Sequence, residues 1–123
     1  MTNIFIKRIY EPCDEADGTR ILVDRIWPRG ISKEKAGLTD WFKDIAPSSE
    51  LRKWFCHKPE LFEEFREKYL EELRIDERKA EMVAQLSALA QEGRVTLLYG
   101  AKDPIHNQAV VLYEEIKRKL AEK

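Results

Sequence analysis

The chain has 123 residues, 43% of them hydrophobic and 10% aromatic, which is enough for one domain with a real core and argues against disorder. Charge is dense but balanced, 22 basic against 23 acidic residues, so a general nucleic-acid binder is disfavoured and only a local basic face could serve one. No apolar run reaches the roughly 20 residues of a membrane span, and the start of the chain shows no signal-peptide core, so a soluble cytoplasmic protein is expected.

In chain order, Ile4-Phe5-Ile6 running into Lys7-Arg8 reads as a first strand. Residues 11–19 are a loop, with Asp17-Gly18 as its turn signal and Cys13 a free thiol. Residues 20–26 read as a second strand, stopped by Pro28 and Gly30. Ser32 can cap a short helix over 33–37, and Thr39 or Asp40 a further turn carrying Trp41, Phe42 and Ile45. Ser48 can cap a helix with Leu51, Trp54 and Phe55 inward, broken at His57-Lys58-Pro59.

From Pro59, the apolar positions Leu61, Phe65, Tyr69 and Leu73 recur every four residues, an amphipathic helix with a charged outer face. A helix over about 77–92 follows, with Met82, Val83, Leu86, Leu89 and Ala90 inward and Gly93 at its end. Val95–Tyr99 is the third strand. Asp103-Pro104 reads as cap and first residue of the last helix, which would bury Ala109, Val110, Tyr113 and Ile116. The sum is a single α/β domain, 1–123, small and Rossmann-like, with a short, mostly parallel sheet covered by helices. The link between the first two strands also admits a wide antiparallel hairpin, and the parallel reading is preferred.

Parallel strands would bring three polar clusters to one edge, where ligands bind in open α/β sheets. Asp24 and His106 are the candidates for acid–base chemistry. Arg25, Trp27, Arg29, Tyr99, Lys102 and Asn107 are the candidates for ligand contacts. The expected crevice has the segment Asp24–Gly30 as one wall and Tyr99–Asn107 as the other. Each residue has a plainer use. Arg25 and Arg29 can pair with Asp24 or Asp44, and Trp27 is more often a lid on the core. Asp103 needs no ligand to act as a cap, and His57 reads as a solvated helix end. If the strand persists that far, alternation sends Asp24 and Arg25 to opposite sides, and they share a ligand only if it ends early. Lys33, Lys43, Ser48 and Arg52 lie in a connection that can cover the crevice. No phosphate loop, nucleophile elbow or zinc spacing is present, so neither a metal nor a named cofactor is implied.

Lys7-Arg8-x-Tyr10 and the run from Asp17-Gly18 through Leu22-Val23-Asp24-Arg25-x-Trp27-Pro28-Arg29-Gly30 carry a resemblance. So do Trp41, Ala46-Pro47-Ser48, Leu51-Arg52-x-Trp54-Phe55-x-His57, and Thr96–Tyr99 with Asp103 and His106-Asn107. Over residues 4 to 112 the chain resembles the YeaO-like branch of the DUF488 family. The resemblance implies a parallel sheet with Asp24, Pro28 and His106 near one edge, and it names no activity. Two functions stay open. One is binding of an anionic small molecule, a nucleotide or sugar phosphate, with or without turnover. The other is a non-catalytic module for nucleic acid or protein.

Overall fold

The computed structural model describes residues 3–122. Four strands, β1 (Ile4–Arg8), β2 (Thr19–Leu22), β3 (Asp40–Trp41) and β4 (Val95–Tyr99), form one sheet in the order β1-β4-β2-β3. Every pairing is parallel. β4 lies between β1 and β2, so the two are not neighbours and the hairpin alternative does not arise. Register runs from Ile4 opposite Val95 to Arg8 opposite Tyr99, and from Thr19 opposite Val95 to Leu22 opposite Leu98. The C-terminal ends of β1, β2 and β4 therefore share one edge.

Five helices accompany the sheet: α1 (Lys33–Ala36), α2 (Ser49–Phe55), α3 (Phe62–Ile75), α4 (Glu77–Glu92) and α5 (Gln108–Ala121). Side-chain alternation splits the strands between two layers. Ile4, Ile21, Val23, Val95, Leu97 and Tyr99 enter the main core with the long helices. Ile9, Leu22 and Leu98 turn the other way, into a small cluster with Ala36 that Trp27, Ile31, Leu38 and Trp41 roof over. Phe65, Tyr69 and Leu73 of α3 are buried, as their four-residue spacing requires. Trp54 departs from its expected inward place: it is 38% exposed, with the Lys68 ammonium 5.5 Å from its ring.

On the second face, a polar node stands beside the short α1 and the small apolar cluster. Asp17 accepts from Lys7 Nζ at 3.0 Å and from Arg20, and Arg20 Nη2 donates to the Ala36 carbonyl at 2.8 Å. This node pins the loop between β1 and β2 across β4. Gly18, at φ +67°, lets the loop touch the β4 entry, since a Cβ there would stand 2.4 Å from the Arg94 carbonyl oxygen.

Three expectations need correction. The second strand ends at Leu22 rather than at 26, although Val23 N still donates to Leu98 O at 3.1 Å. Asp40–Trp41 is a short edge strand rather than a capped turn, because Thr39 N and Phe42 N donate to the Arg20 and Leu22 carbonyls. The last helix begins at Gln108, capped by Asn107, whose Oδ1 accepts from Val110 N at 3.1 Å. Asp103 instead closes a local turn by accepting from Ile105 N and His106 N, which draws those amides out of helical pairing. The late start shifts the buried stripe of α5 to Ala109, Val111, Leu112, Glu115 and Ile116, so Val110 and Tyr113 are only half-buried.

Candidate functional site

β2 carries the chain to the shared edge and stops, and Asp24 follows two residues later. Its side chain turns inward. Oδ2 accepts from Gly100 N at 2.9 Å, and Oδ1 accepts from the Gln108 amide. Its carbonyl accepts from the Trp41 indole at 2.6 Å. Asp24 thus ties the exits of β2 and β4 to the first turn of α5. Gly100 has no side chain where a Cβ would stand 3.0 Å from Asp24 Oδ2. Burial pushes the Asp24 carboxyl up to about 6, against the pull of the Gly100 and Gln108 donors and the nearby His57.

These bonds close the expected crevice on that side. The segments after β2 and after β4 touch each other directly rather than facing across a gap. The open space lies on the other side of Asp24, a cleft of about 400 Å³ whose far wall is the end of α2. Its floor is apolar, with Phe55 stacked on Phe65 at 4.3 Å between centroids. Asp24, Asn107 and Gln108 supply the neutral polar and acidic side, and Arg25, Arg52 and Lys53 the cationic side.

Because β2 ends at Leu22, strand alternation does not govern residues 24 and 25: Asp24 and Arg25 both line the cleft, and Arg25 Nη1 meets Asp44 at 2.7 Å. Both side chains are substantially exposed, so the pair is weakly held. Arg52 Nε donates to the Pro47 carbonyl at 3.1 Å. Among the described residues no carboxylate lies within ion-pair distance of Arg52. His57, expected to be a solvated helix end, stands on the cleft wall. It follows Cys56 in an unusual backbone: both residues are left-handed, at φ 45° and 55°, and neither is glycine. Such a pair carries local strain and fixes how the chain leaves α2 beside the cleft.

The remaining candidates fall elsewhere. Trp27 Nε1 donates to the Ile31 carbonyl at 2.8 Å, and its ring meets Trp41 edge-on in the smaller core cluster. Tyr99 is 4% exposed in the main core, and burial raises its hydroxyl above the ordinary value. Arg29 is exposed, and its carbonyl accepts from Tyr10 Oη at 2.6 Å. Lys102 is exposed on the loop after β4. His106 Nδ1 lies 2.8 Å from Asp103 Oδ2, and its ring meets Phe62 edge-on at 5.2 Å. The His106 and Ile105 amides, with that ring contact, hold the Asp103 carboxyl down to about 2. Of the eight candidates, Asp24, Arg25 and Asn107 line the cleft; Arg52, weighed in the sequence as a residue able to reach an anion, joins them, and so do Lys53, His57 and Gln108, which the sequence did not single out as contacts. Arg52 had a signal, its place in the connection after β2.

Among the described residues no three His, Cys, Asp or Glu side chains converge as metal ligands, and no helix is long and apolar enough to cross a membrane.

Comparison with known proteins gives kinship without an activity. The chain is 44% identical over 115 residues to the uncharacterized protein YeaO of Escherichia coli K12, covering 94% of this chain and 97% of that one. It is 41% identical over 111 residues to the uncharacterized protein Rv3073c of Mycobacterium tuberculosis H37Rv, covering 90% and 91% respectively. No solved structure matches it significantly. A family model described as the "Inactive DUF488-N3 subclade" matches residues 3–123. The chain therefore belongs to the DUF488 family, within that subclade and beside YeaO.

Proposed function

We propose that the protein binds an anionic small molecule, a nucleotide or a sugar phosphate, in the cleft between Asp24 and the end of α2. The observation that carries this reading is Arg52. Its guanidinium is anchored through Nε, has no carboxylate partner among the described residues, and stands on the wall of a cleft with an apolar floor. A guanidinium so placed suits bidentate bonding to a phosphate or carboxylate. Arg25 and Lys53 add positive charge beside it.

Binding without turnover is favoured over catalysis. Asp24, the half-buried carboxyl at the site, is already engaged by two donors that knit the fold. His106, the other acid–base candidate, is engaged by Asp103 away from the cleft wall. The subclade's description as inactive agrees. A soluble cytoplasmic protein with such a cleft would sense or sequester its ligand.

A thermal-shift screen of nucleotides and phosphorylated sugars tests the reading, since a ligand that binds only the native state raises its stability. At 100 times the dissociation constant the gain is about 2.7 kcal/mol. The expected result is a stabilising anion whose effect Arg52→Ala abolishes. A screen with no stabiliser, or a shift that Arg52→Ala leaves intact, refutes the proposal.

A further inference from the structure

The cleft does not end at its cationic wall. Across the ridge made by Ala46 and Pro47 lies a second depression of about 510 Å³, and Arg25 and Arg52 line both. The two halves differ in chemistry. The first has the apolar floor of Phe55 and Phe65. The second is lined almost wholly by polar side chains, with five cations, Arg25, Lys43, Arg52, Arg78 and Lys79, against two carboxylates.

Both carboxylates are already used. Asp76 caps α4 by accepting from Lys79 N at 3.0 Å. Asp44 is shared by Arg25 and Arg78, at 2.7 and 3.4 Å. Those two pairs are exposed and hold weakly, so a multiply charged anion entering the groove competes for both guanidiniums. Lys43 lies over the Trp41 ring at 5.0 Å and keeps its charge free of any acid among the described residues. The groove thus presents an excess of three positive charges beside a cleft sized for a ring.

We propose that the ligand has two parts: a flat ring seated in the cleft, and a di- or triphosphate chain that passes Arg25 and Arg52 into the basic groove. The ligand class is then a nucleoside polyphosphate. A sugar phosphate fits less well, because its hydroxyls would face the Phe55–Phe65 floor without partners. A single phosphate would engage Arg25 and Arg52 and leave Lys43, Arg78 and Lys79 unused. This inference rests on the cleft being the ligand site, and the experiment separates the two.

Calorimetric titration at low salt would compare AMP, ADP and ATP, GMP, GDP and GTP, inorganic tripolyphosphate, and a short single-stranded oligonucleotide. For one base, affinity should rise about tenfold from mono- to triphosphate, the scale of one added charge-assisted contact. Tripolyphosphate should bind at least tenfold more weakly than that nucleoside triphosphate. The double variant Lys43→Ala with Arg78→Ala, which touches the groove and not the cleft, should erase the gain and leave monophosphate affinity within about twofold. If monophosphates bind as well as triphosphates, the two-part ligand is wrong while the cleft reading stands. If tripolyphosphate or the oligonucleotide binds as tightly as the best nucleotide, or if the double variant keeps the gain, the inference is overturned. If nothing binds, both readings fall.

Discussion

β2 is bracketed by two carboxylates, buried Asp17 and half-buried Asp24, and the protein treats them in opposite ways. Asp17, at the entry, is 7% exposed and meets Lys7 and Arg20. Burial works to raise its carboxyl, but the bonds from Lys7, the Asp14 amide and Arg20 outweigh it and hold the group below its ordinary value. Asp24, at the exit, meets an amide N–H and a neutral carboxamide, and burial wins, lifting it to about 6. At the entry the cations are consumed by the fold: Arg20 is 3% exposed and also caps the end of α1. At the exit neither Arg25 nor Arg52 bonds the carboxylate: Arg25 is held only by an exposed pair with Asp44, and Arg52 donates through Nε to the Pro47 carbonyl. A charged node that satisfies itself is structure; the cations held near Asp24 without joining it are the ones proposed to meet a ligand.

The contrast breaks most easily at Asp17. Asp17→Ala leaves Arg20 buried without its acid, and about 3–5 kcal/mol of stability should be lost. Urea denaturation measures it, and a loss below about 1 kcal/mol would mean that the node is not what ties the β1–β2 loop down.

Next is the pH dependence of Asp24. Its folded carboxyl binds a proton more tightly than the unfolded one, so its contribution to stability is full below about 3.8 and is lost as pH rises through about 6. The difference is about 3 kcal/mol across that window. Asp24→Asn cannot titrate, so relative to the wild type it should gain stability between pH 4 and 7.5. Glu115 runs the other way. Burial raises it, but Arg74 and Arg118 hold it down to about 2, so its contribution is present above about 4.5 and lost as pH falls toward 2. Glu115→Gln should therefore flatten the acid limb of the unfolding profile and leave the neutral limb's slope alone.

A smaller effect sharpens the exit side. Gly100→Ala puts a methyl 3.0 Å from Asp24 Oδ2 and 3.6 Å from the Pro28 Cβ, and should cost about 1–3 kcal/mol. Smallest of all, Arg29→Ala and Lys102→Ala should leave the melting temperature and the binding of any nucleotide unchanged, because both side chains are exposed away from the cleft lining. Loss of binding in either variant would move the site toward the loops after β2 and β4.

Much of the fold could be read from residue pattern. The four-residue spacing of Phe65, Tyr69 and Leu73 marks α3, and Ser32 and Ser48 cap α1 and α2 by accepting from Lys35 N and Leu51 N. A helix expected directly after β4 points to the parallel sheet; the sheet is parallel although that helix waits until Gln108. What failed had local causes. A two-residue strand is too short to show a period, so Asp40–Trp41 passed for a turn. Asp103 and Asn107 are both good caps, and only the turn closed by Asp103 decides that the helix waits for Asn107. The site was half legible. Asp24, Arg25 and Asn107 lie at strand and helix ends, where sequence reasoning looks. Arg52 reaches the cleft from within α2, in the connection after β2, whereas His57 stands there where Cys56 and His57 take left-handed backbone, which nothing in their residue types announces.

The most direct test is an amide NMR titration of the labelled protein with AMP and ATP, which watches both ends of β2 at once. Binding at the cleft should shift the amides of Arg25, Arg52, His57, Asn107 and Gln108, with Lys43, Arg78 and Lys79 joining only for ATP, while Asp17, Gly18 and Arg20 stay still. Shifts centred on the Asp17 end, or none at millimolar nucleotide, would contradict the assignment of the exit edge as the ligand site.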